Sequence, residues 1–144
     1  MVQLIISLVQ SIRPRQTLKN LSLLAPLIFS GRLFTGNYFL TTLWAIVIFT
    51  ITTSSLYLIN DIIDLPRDRL HPLKKKRPIA SGKLPIPIAI FIAILGLFLS
   101  LSLSFSLGFF FFVSILAYLL IQISYSFWLK NIIIFDASEQ GNCR

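Results

Sequence analysis

Two long uncharged runs limit what this chain can fold into. Residues 38–59 form 22 consecutive positions without a charged side chain, and residues 84–129 form 46. About 20 apolar residues are enough for one helix to cross the hydrocarbon core of a bilayer. The first run therefore predicts one spanning helix, and the second predicts two helices folded back as a hairpin. Serine and glycine cluster at residues 104–108, where we expect the hairpin to turn.

The composition agrees with a membrane protein and argues against a nucleic-acid-binding one. Of the 144 residues, 56% are hydrophobic and only 12% are charged, whereas soluble domains carry roughly 25% charged residues. The net charge is +8. The basic residues lie at the ends of the uncharged runs, where membrane proteins carry them on the cytoplasmic side. The single cysteine, Cys143, excludes an internal disulfide.

A fourth spanning helix is expected near the N-terminus, at residues 18–31. This segment, "LKNLSLLAPLIFSG", is short, and Pro26 is expected to kink it. If residues 18–31 are a spanning helix, eleven basic residues lie on one side of the membrane and Arg32 lies on the other, as the positive-inside rule predicts. The sequence thus predicts an all-α integral membrane bundle of about four transmembrane helices, with the N-terminus and the loop after residue 59 on the cytoplasmic side of the cell (inner) membrane. Residues 1–10 are expected to form a short interfacial or amphipathic helix.

An acidic cluster ends the first uncharged run. Asp61, Asp64 and Asp68 are three of the five acidic residues in the chain. Asn60, Asp64 and Asp68 are spaced four apart, which places them on one face of a helix. Because Pro66 interrupts a helix, we expect Asn60 and Asp64 to share a face and Asp68 to reach the site from a distorted last turn. Neighbouring carboxylates repel each other unless a cation neutralises them, and oxygen ligands alone predict Mg²⁺.

A basic stretch follows the acidic cluster. Its members are Arg67, Arg69, Lys74, Lys75, Lys76, Arg77 and Lys83. Lysine and arginine pair with phosphate oxygens, so a metal beside this loop predicts a diphosphate site, and the flanking apolar helices predict a lipid substrate. A basic loop at a helix end can also serve only to orient the protein in the membrane and to attract anionic lipid. For Lys74–Lys76, both this interpretation and phosphate binding stay open. His71 is expected to shape the loop rather than to act as a base, and Pro78 and Gly82 to shape the turn before the next helix.

Three sequence elements resemble one protein family. The string "NDIIDLPRD", with N-D-x-x-D-x-x-x-D spacing, is similar to the first aspartate-rich motif of the UbiA-type intramembrane prenyltransferases. "SIRPRQTLKN" near the N-terminus and "YSFWLKN" at residues 125–131 resemble elements of one branch, the polyprenyl-phosphate phosphoribosyltransferases typified by the decaprenyl-phosphate enzyme. The resemblance covers residues 11–136.

The resemblance implies the N-terminal half of an eight- or nine-helix bundle with a central cavity. It implies Mg²⁺-dependent transfer of a 5-phosphoribosyl group from phosphoribosyl diphosphate to a polyprenyl phosphate, with release of diphosphate, in cell-envelope biosynthesis. Residues 1–136 are expected to form this half, and residues 137–144 a polar tail left by truncation or a shifted frame. The family carries a second D-x-x-x-D motif in its other half, which does not occur here. We therefore expect this polypeptide alone to be inactive.

The resemblance also implies roles for individual residues. Asn60, Asp64 and Asp68 match the metal-binding positions. Asp64 and Asp61 match catalytic positions, and Asp61 is expected to act by orienting its neighbours. The residues that match substrate-binding positions are Lys19, Asn20, Arg67, Arg69, Lys74, Arg77, Tyr125 and Lys130.

Two other functions are weighed against this one. Within the family, a polyprenyltransferase with an aromatic acceptor of the 4-hydroxybenzoate type is the alternative, but the strings "RPRQ" and "DRLHPLKKKRP" favour the phosphoribosyl branch. In a different class, the chain is a non-catalytic membrane protein or the product of a decayed gene. The ending "ASEQGNCR" suggests this, because it can neither span a membrane nor pack as a helix face.

Overall fold

The computed structural model describes residues 2–13, 18–32 and 35–126, and the regular elements in these ranges are all helices. The α-helices are α1 (Val2–Ile12), α2 (Ala25–Phe29), α3 (Tyr38–Ile63), α4 (Leu65–Leu70), α5 (Ile86–Ser104) and α6 (Phe109–Ser124). Segments of 3₁₀ helix cover Leu18–Leu24, Lys74–Lys76 and Phe105–Leu107. The all-α class predicted from the sequence is confirmed.

Two helical segments are long and apolar enough to cross a membrane. Helix α3 has 26 residues, and 18 consecutive residues in it have a mean hydropathy of 1.8; the segment Ile86–Leu107 has 22 residues, with a mean hydropathy of 2.6 over 18 of them. Two further apolar segments, Leu18–Phe29 and Phe109–Ser124, are shorter. In the described ranges, the four predicted transmembrane helices therefore appear as two full spans and two shorter apolar segments.

The hairpin between α5 and α6 turns at Gly108, inside the predicted segment. Gly108 has a φ of +104°, which residues with a side chain rarely adopt. Its N–H donates to the Phe105 carbonyl at 3.1 Å, and its own carbonyl accepts from the Phe112 N–H at 3.2 Å. The turn predicted at residues 104–108 is confirmed, and it returns α6 along both α5 and α3.

Helices α3 and α5 form the main contact of the bundle, and they approach closely at Gly96. A Cβ atom on Gly96 would lie 2.2 Å from Ser55 Oγ and 3.4 Å from Ser55 Cβ, so any side chain at this position would displace Ser55. Small residues at such contacts allow membrane helices to pack closely. Towards the C-terminal end of α3, Leu58 is buried against Ala89 and Ala93 of α5. These contacts fix the position of the acidic cluster that follows Leu58.

Several hydroxyl groups in the long helices bond within their own helix. Thr52, Ser55, Ser102 and Ser114 each donate to the carbonyl four residues earlier, at 2.8–2.9 Å. An unsatisfied polar group costs several kcal/mol in lipid. Because these four hydroxyls are satisfied locally, they need no partner on a neighbouring helix.

The expected kink at Pro26 takes a different form in the structure. Leu18–Leu24 is a 3₁₀ helix, and the α-helical geometry begins only at Ala25, with Pro26 in the first turn of α2. Proline is well tolerated there, because a first-turn N–H has no partner inside the helix and the fixed φ of proline suits a helix start. Pro26 therefore starts a short α-helix instead of bending a longer one.

The N-terminal residues form the predicted helix, α1. Ser7 and Ser11 are buried against the protein, whereas Ile6 and Val9 are half-exposed. An outward apolar side suits a helix that lies along a lipid surface. Helix α1 ends at Arg13, whose φ of +54° lies in the left-handed region that non-glycine residues seldom occupy.

Candidate active site

The acidic cluster lies where α3 ends and α4 begins. The last residue of α3 is Ile63, and the N–H of Asp64 donates to the Asn60 carbonyl at 2.9 Å. The Asp64 carbonyl then accepts the N–H of Asp68 at 2.9 Å, with Pro66 in the first turn of α4. The prediction that no continuous helix runs through Asn60, Asp64 and Asp68 is confirmed.

A cavity of about 280 Å³ opens beside this helix end. Four parts of the chain line it: the end of α1, one face of α3, the loop after α4 and the end of α6. The lining residues are Arg13, Tyr57, Asn60, Asp61, Asp64, Lys74, Arg77, Gln122, Tyr125 and Ser126. Tyr57, Asn60, Asp61 and Asp64 follow the helical pattern i, i+3, i+4, i+7, which places their side chains on one face. The volume is near the lower end of the range for small-molecule sites.

Alternating positive and negative charges form a chain of ion pairs at the cavity. Asp61 accepts hydrogen bonds from the guanidinium groups of Arg13 and Arg77, the latter at 3.1 Å. The same Arg77 nitrogen lies 2.6 Å from Asp68 Oδ2. Asp61 and Asp68 are 3% and 2% exposed, and buried carboxylates of this kind need charged partners. The two aspartates therefore hold the arginines in place.

Asn60 and Asp64 are two residues of the cavity wall whose side-chain oxygens suit a metal. Both line the cavity from the same face of α3, and Ser126 Oγ donates to Asn60 Oδ1, which orients the amide. Asp68 is not part of the cavity wall and pairs with Arg77. Within residues 2–13, 18–32 and 35–126, no three His, Cys, Asp or Glu side chains are grouped to hold a metal ion.

The available donors fit a magnesium ion that is shared with a ligand. Mg²⁺ is usually bound through one or two carboxylates, and water and substrate phosphates complete its octahedral shell. The Asp64 carboxylate and the Asn60 amide oxygen supply such a partial set. They do not supply a cage made of protein atoms alone.

The structure brings some of the predicted substrate-binding residues together and separates others. Lys74, Arg77 and Tyr125 line the cavity. Lys19, Arg67 and Arg69 are exposed and lie outside its wall, and Asn20 is buried elsewhere, against α3. Lys130 lies outside the described residues.

The two expectations about loop shape are confirmed. His71 Nδ1 accepts the N–H groups of Leu73 and Lys74 at 3.2 and 3.3 Å. Gly82 turns the chain with a φ of +76°, and the Leu84 N–H donates to the Pro78 carbonyl at 3.0 Å.

Comparison with known proteins identifies the family. Residues 22–137 match the UbiA prenyltransferase family. The chain belongs to this family. Decaprenyl-phosphate phosphoribosyltransferase of Mycolicibacterium smegmatis is 37% identical over 137 residues, which cover 92% of this chain and 43% of that protein. The protein of the same name from Mycobacterium tuberculosis is 36% identical over 132 residues, covering 89% and 44%, and that from Corynebacterium glutamicum is 37% identical over 81 residues, covering 55% and 24%. The chain thus spans less than half the length of these curated relatives.

Arg13 is a cavity residue of this UbiA-family chain that the sequence analysis did not assign to the site. Its guanidinium pairs with Asp61 and lies 5.1 Å from the centroid of the Tyr57 ring. The left-handed backbone of Arg13 ends α1, and such conformations occur often at functional sites. The available signal was its place at the start of "RPRQTLKN", one of the strings that resemble the family.

Tyr57, Gln122 and Ser126 also line the cavity without having been predicted to do so. Tyr57 precedes Asp61 by four residues and Asp64 by seven, so helical spacing from the acidic cluster could have indicated it. Gln122 is the only carboxamide in the uncharged run of residues 84–129. A polar side chain in a membrane segment is by default a candidate functional residue.

Asn20 does not line the cavity and is instead bonded to α3. Its Nδ2 lies 3.1 Å from Thr50 Oγ1 and 3.2 Å from Thr53 Oγ1, both on α3. These bonds join the 3₁₀ segment Leu18–Leu24 to the long helix inside its apolar part. The contact attaches the segment to the bundle.

We expect Asn20→Ala to lower the free energy of unfolding by about 1 kcal/mol, because hydrogen bonds between membrane helices contribute roughly 0.6 to 1.7 kcal/mol. Thermal unfolding in detergent micelles measures the change, and Ser22→Ala, an exposed position in the same segment, is the matched control. If Asn20→Ala instead left the stability unchanged and reduced the affinity for phosphoribosyl diphosphate, Asn20 would belong to the substrate site.

Proposed function

We propose that the cavity binds phosphoribosyl diphosphate with Mg²⁺, and that the complete enzyme transfers the 5-phosphoribosyl group to a polyprenyl phosphate. The observation that carries the proposal is the meeting of three cationic side chains with Asn60 and Asp64 in one cavity at the end of a membrane-spanning helix. Relatives named decaprenyl-phosphate phosphoribosyltransferase, similar over most of the chain, support the same reaction.

The charges in the cavity suit a diphosphate together with a divalent ion. Arg13, Lys74 and Arg77 supply three positive charges, and Asp61 and Asp64 supply two negative ones. Asp61 is engaged by the two arginines. We assign Asp64 to the metal because it lines the cavity one helical turn after Asn60. Arginine can bind a phosphate through two parallel hydrogen bonds, and lysine acts as a point charge. Asp68, which pairs with Arg77, adds a third negative charge, so the site without a ligand is close to neutral. A metal makes it positive, and the negative charge of a diphosphate offsets that of the metal.

In the proposed reaction, an oxygen of the polyprenyl phosphate attacks the anomeric carbon of the ribose as the bond from that carbon to the diphosphate breaks. The chain needs no covalent nucleophile for this displacement. Arg13, Arg77 and Lys74 hold the diphosphate and stabilise the negative charge that grows on it as it leaves. Binding both reactants in a fixed geometry lowers the barrier further. A magnesium ion held by Asp64 and Asn60 would neutralise part of the same charge.

We further propose a multi-pass arrangement in the cell (inner) membrane, with the cavity and the N-terminus on the cytoplasmic side. The positive charge of residues 67–83 supports this orientation, because basic loops remain on the cytoplasmic face. In this orientation, water-soluble phosphoribosyl diphosphate and the membrane lipid polyprenyl phosphate can both reach the same end of α3. Asp68 does not line the cavity, and we propose that it supports the metal site indirectly, by holding Arg77 in place.

A chimeric enzyme tests the proposed reaction. Residues 1–136 of this chain replace the matching N-terminal segment of the Mycolicibacterium smegmatis relative, and membranes of a host that lacks the activity receive labelled phosphoribosyl diphosphate and a polyprenyl phosphate. We expect Mg²⁺-dependent label in the lipid phosphate product. A second reaction offers polyprenyl diphosphate with 4-hydroxybenzoate. Product in the second reaction alone would reject the phosphoribosyl assignment in favour of the aromatic acceptor, and product in neither would favour a non-catalytic protein.

A further inference from the structure

We propose that Gln122 is a specificity-determining residue that binds the ribose hydroxyls of the donor. This inference rests on the proposed function, because it names the part of phosphoribosyl diphosphate that the neutral side of the cavity contacts.

One side of the cavity is cationic and the other is neutral. Arg13, Lys74 and Arg77 come from the end of α1 and from the loop after α4. We call the part of the wall formed by these three residues the cationic side. The end of α6 contributes Gln122, with Tyr125 and Ser126 following it, and we call this part the neutral side. The cationic side suits phosphate oxygens, which only accept hydrogen bonds. The neutral side offers amide and hydroxyl groups, which suit a ligand that can both donate and accept.

The side chain of Gln122 is held by neighbours that do not line the cavity. Its Nε2 donates to the Tyr118 hydroxyl at 3.2 Å, one turn earlier on α6. The Tyr118 ring packs on Phe49 of α3, with the ring centroids 5.0 Å apart. These contacts fix the amide nitrogen on the Tyr118 side. The Oε1 atom and the second N–H of a carboxamide remain chemically competent to bind a ligand.

A sugar diphosphate has the same two-part chemistry as the cavity. Its diphosphate carries the negative charge that the cations require, and its ribose carries hydroxyls that can donate to Oε1 of Gln122 and accept from its N–H. Inorganic diphosphate has no such hydroxyls and needs only the cationic side. A site that hydrogen-bonds a substrate hydroxyl discriminates strongly against a ligand without one. Gln122 therefore makes the cavity select the sugar-linked diphosphate over the free ion.

The test compares two ligands on the full chain in lipid nanodiscs with Mg²⁺. Titration calorimetry gives the Kd of phosphoribosyl diphosphate and the Kd of inorganic diphosphate for the unaltered chain and for Gln122→Met, which keeps the side-chain size and removes its hydrogen bonds. We expect Gln122→Met to weaken phosphoribosyl diphosphate about tenfold, the loss of one or two hydrogen bonds, and to change inorganic diphosphate by less than about twofold. Ser114→Ala, an exposed position on the same helix, should change neither.

A second variant guards against a folding defect. Tyr118→Phe removes the hydroxyl that holds Gln122 but keeps the ring against Phe49, and we expect a smaller, several-fold loss of affinity for phosphoribosyl diphosphate alone. Equal losses for both ligands, or no loss with Gln122→Met, would overturn the role of Gln122. An unaltered chain that binds inorganic diphosphate and not phosphoribosyl diphosphate would instead contradict the proposed donor. An unaltered chain that binds neither would overturn the proposed function, and the role of Gln122 with it.

Discussion

Replacing Asp64 with asparagine should lower the rate of phosphoribosyl transfer at least about 100-fold. Asp64 and Asn60 line the cavity one helical turn apart, at the C-terminal end of α3. Asparagine keeps the shape of the side chain and removes its charge. A metal contributes several kcal/mol to stabilising the charge of a leaving group, and each 1.36 kcal/mol corresponds to about tenfold in rate. The chimeric enzyme described above provides the assay.

The control for this prediction is Lys75→Ala. Lys75 is exposed and outside the cavity wall, so its loss should change the rate by less than about threefold, the scale of an exposed charge interaction. A second readout on the chain itself replaces Mg²⁺ with Mn²⁺ and follows its binding by electron paramagnetic resonance in the presence of phosphoribosyl diphosphate. Normal turnover and normal Mn²⁺ binding in Asp64→Asn would refute the metal assignment.

Replacing Arg77 with glutamine should destabilise the chain by about 3 kcal/mol. Arg77 contacts two carboxylates, Asp61 and Asp68, which are almost completely buried. Removing one partner of a buried ion pair leaves an uncompensated charge and costs roughly 3–5 kcal/mol. We expect the lower end, because the Arg77 side chain is 27% exposed. Chemical or thermal unfolding in detergent micelles measures the difference.

Two comparisons isolate the cause of this loss. Lys76→Gln, at the exposed neighbouring position, should leave the stability within about 0.5 kcal/mol of the unaltered chain. The double variant Arg77→Gln with Asp68→Asn should be more stable than Arg77→Gln alone, because the second change removes the buried charge that the first leaves behind. If the double variant lost the sum of two independent costs, Arg77 would not act through Asp68.

Local features of the fold were readable from the sequence because their causes are local. A glycine with positive φ was needed to turn two apolar helices within a few residues, and Gly108 provides it. Pro66 interrupts the helix within the acidic cluster for reasons of covalent geometry. The side-chain nitrogen of His71 accepts backbone N–H groups two and three residues away. In each case the relevant atoms lie within a single turn of chain.

The site was only partly readable, because its composition depends on contacts between distant segments. Asn60 and Asp64 follow from helical spacing, but the pairing of Asp61 with Arg13 joins residues 48 positions apart. No local pattern specifies where the end of α1 meets α3. For the same reason Asn20, adjacent in sequence to the proposed substrate residue Lys19, is instead bonded to Thr50 and Thr53.

Hydrogen bonds from hydroxyl groups within α3, α5 and α6 bear on the order in which the helices enter the membrane. The hydroxyls of Thr52, Ser55, Ser102 and Ser114 already bond to carbonyls of their own helix, so they need no companion helix when that helix enters the lipid. Asn20 differs, because the acceptors of its amide, Thr50 and Thr53, belong to α3. The N-terminal segment, although synthesised first, should therefore settle into its final place only after the residues of α3 have entered the lipid.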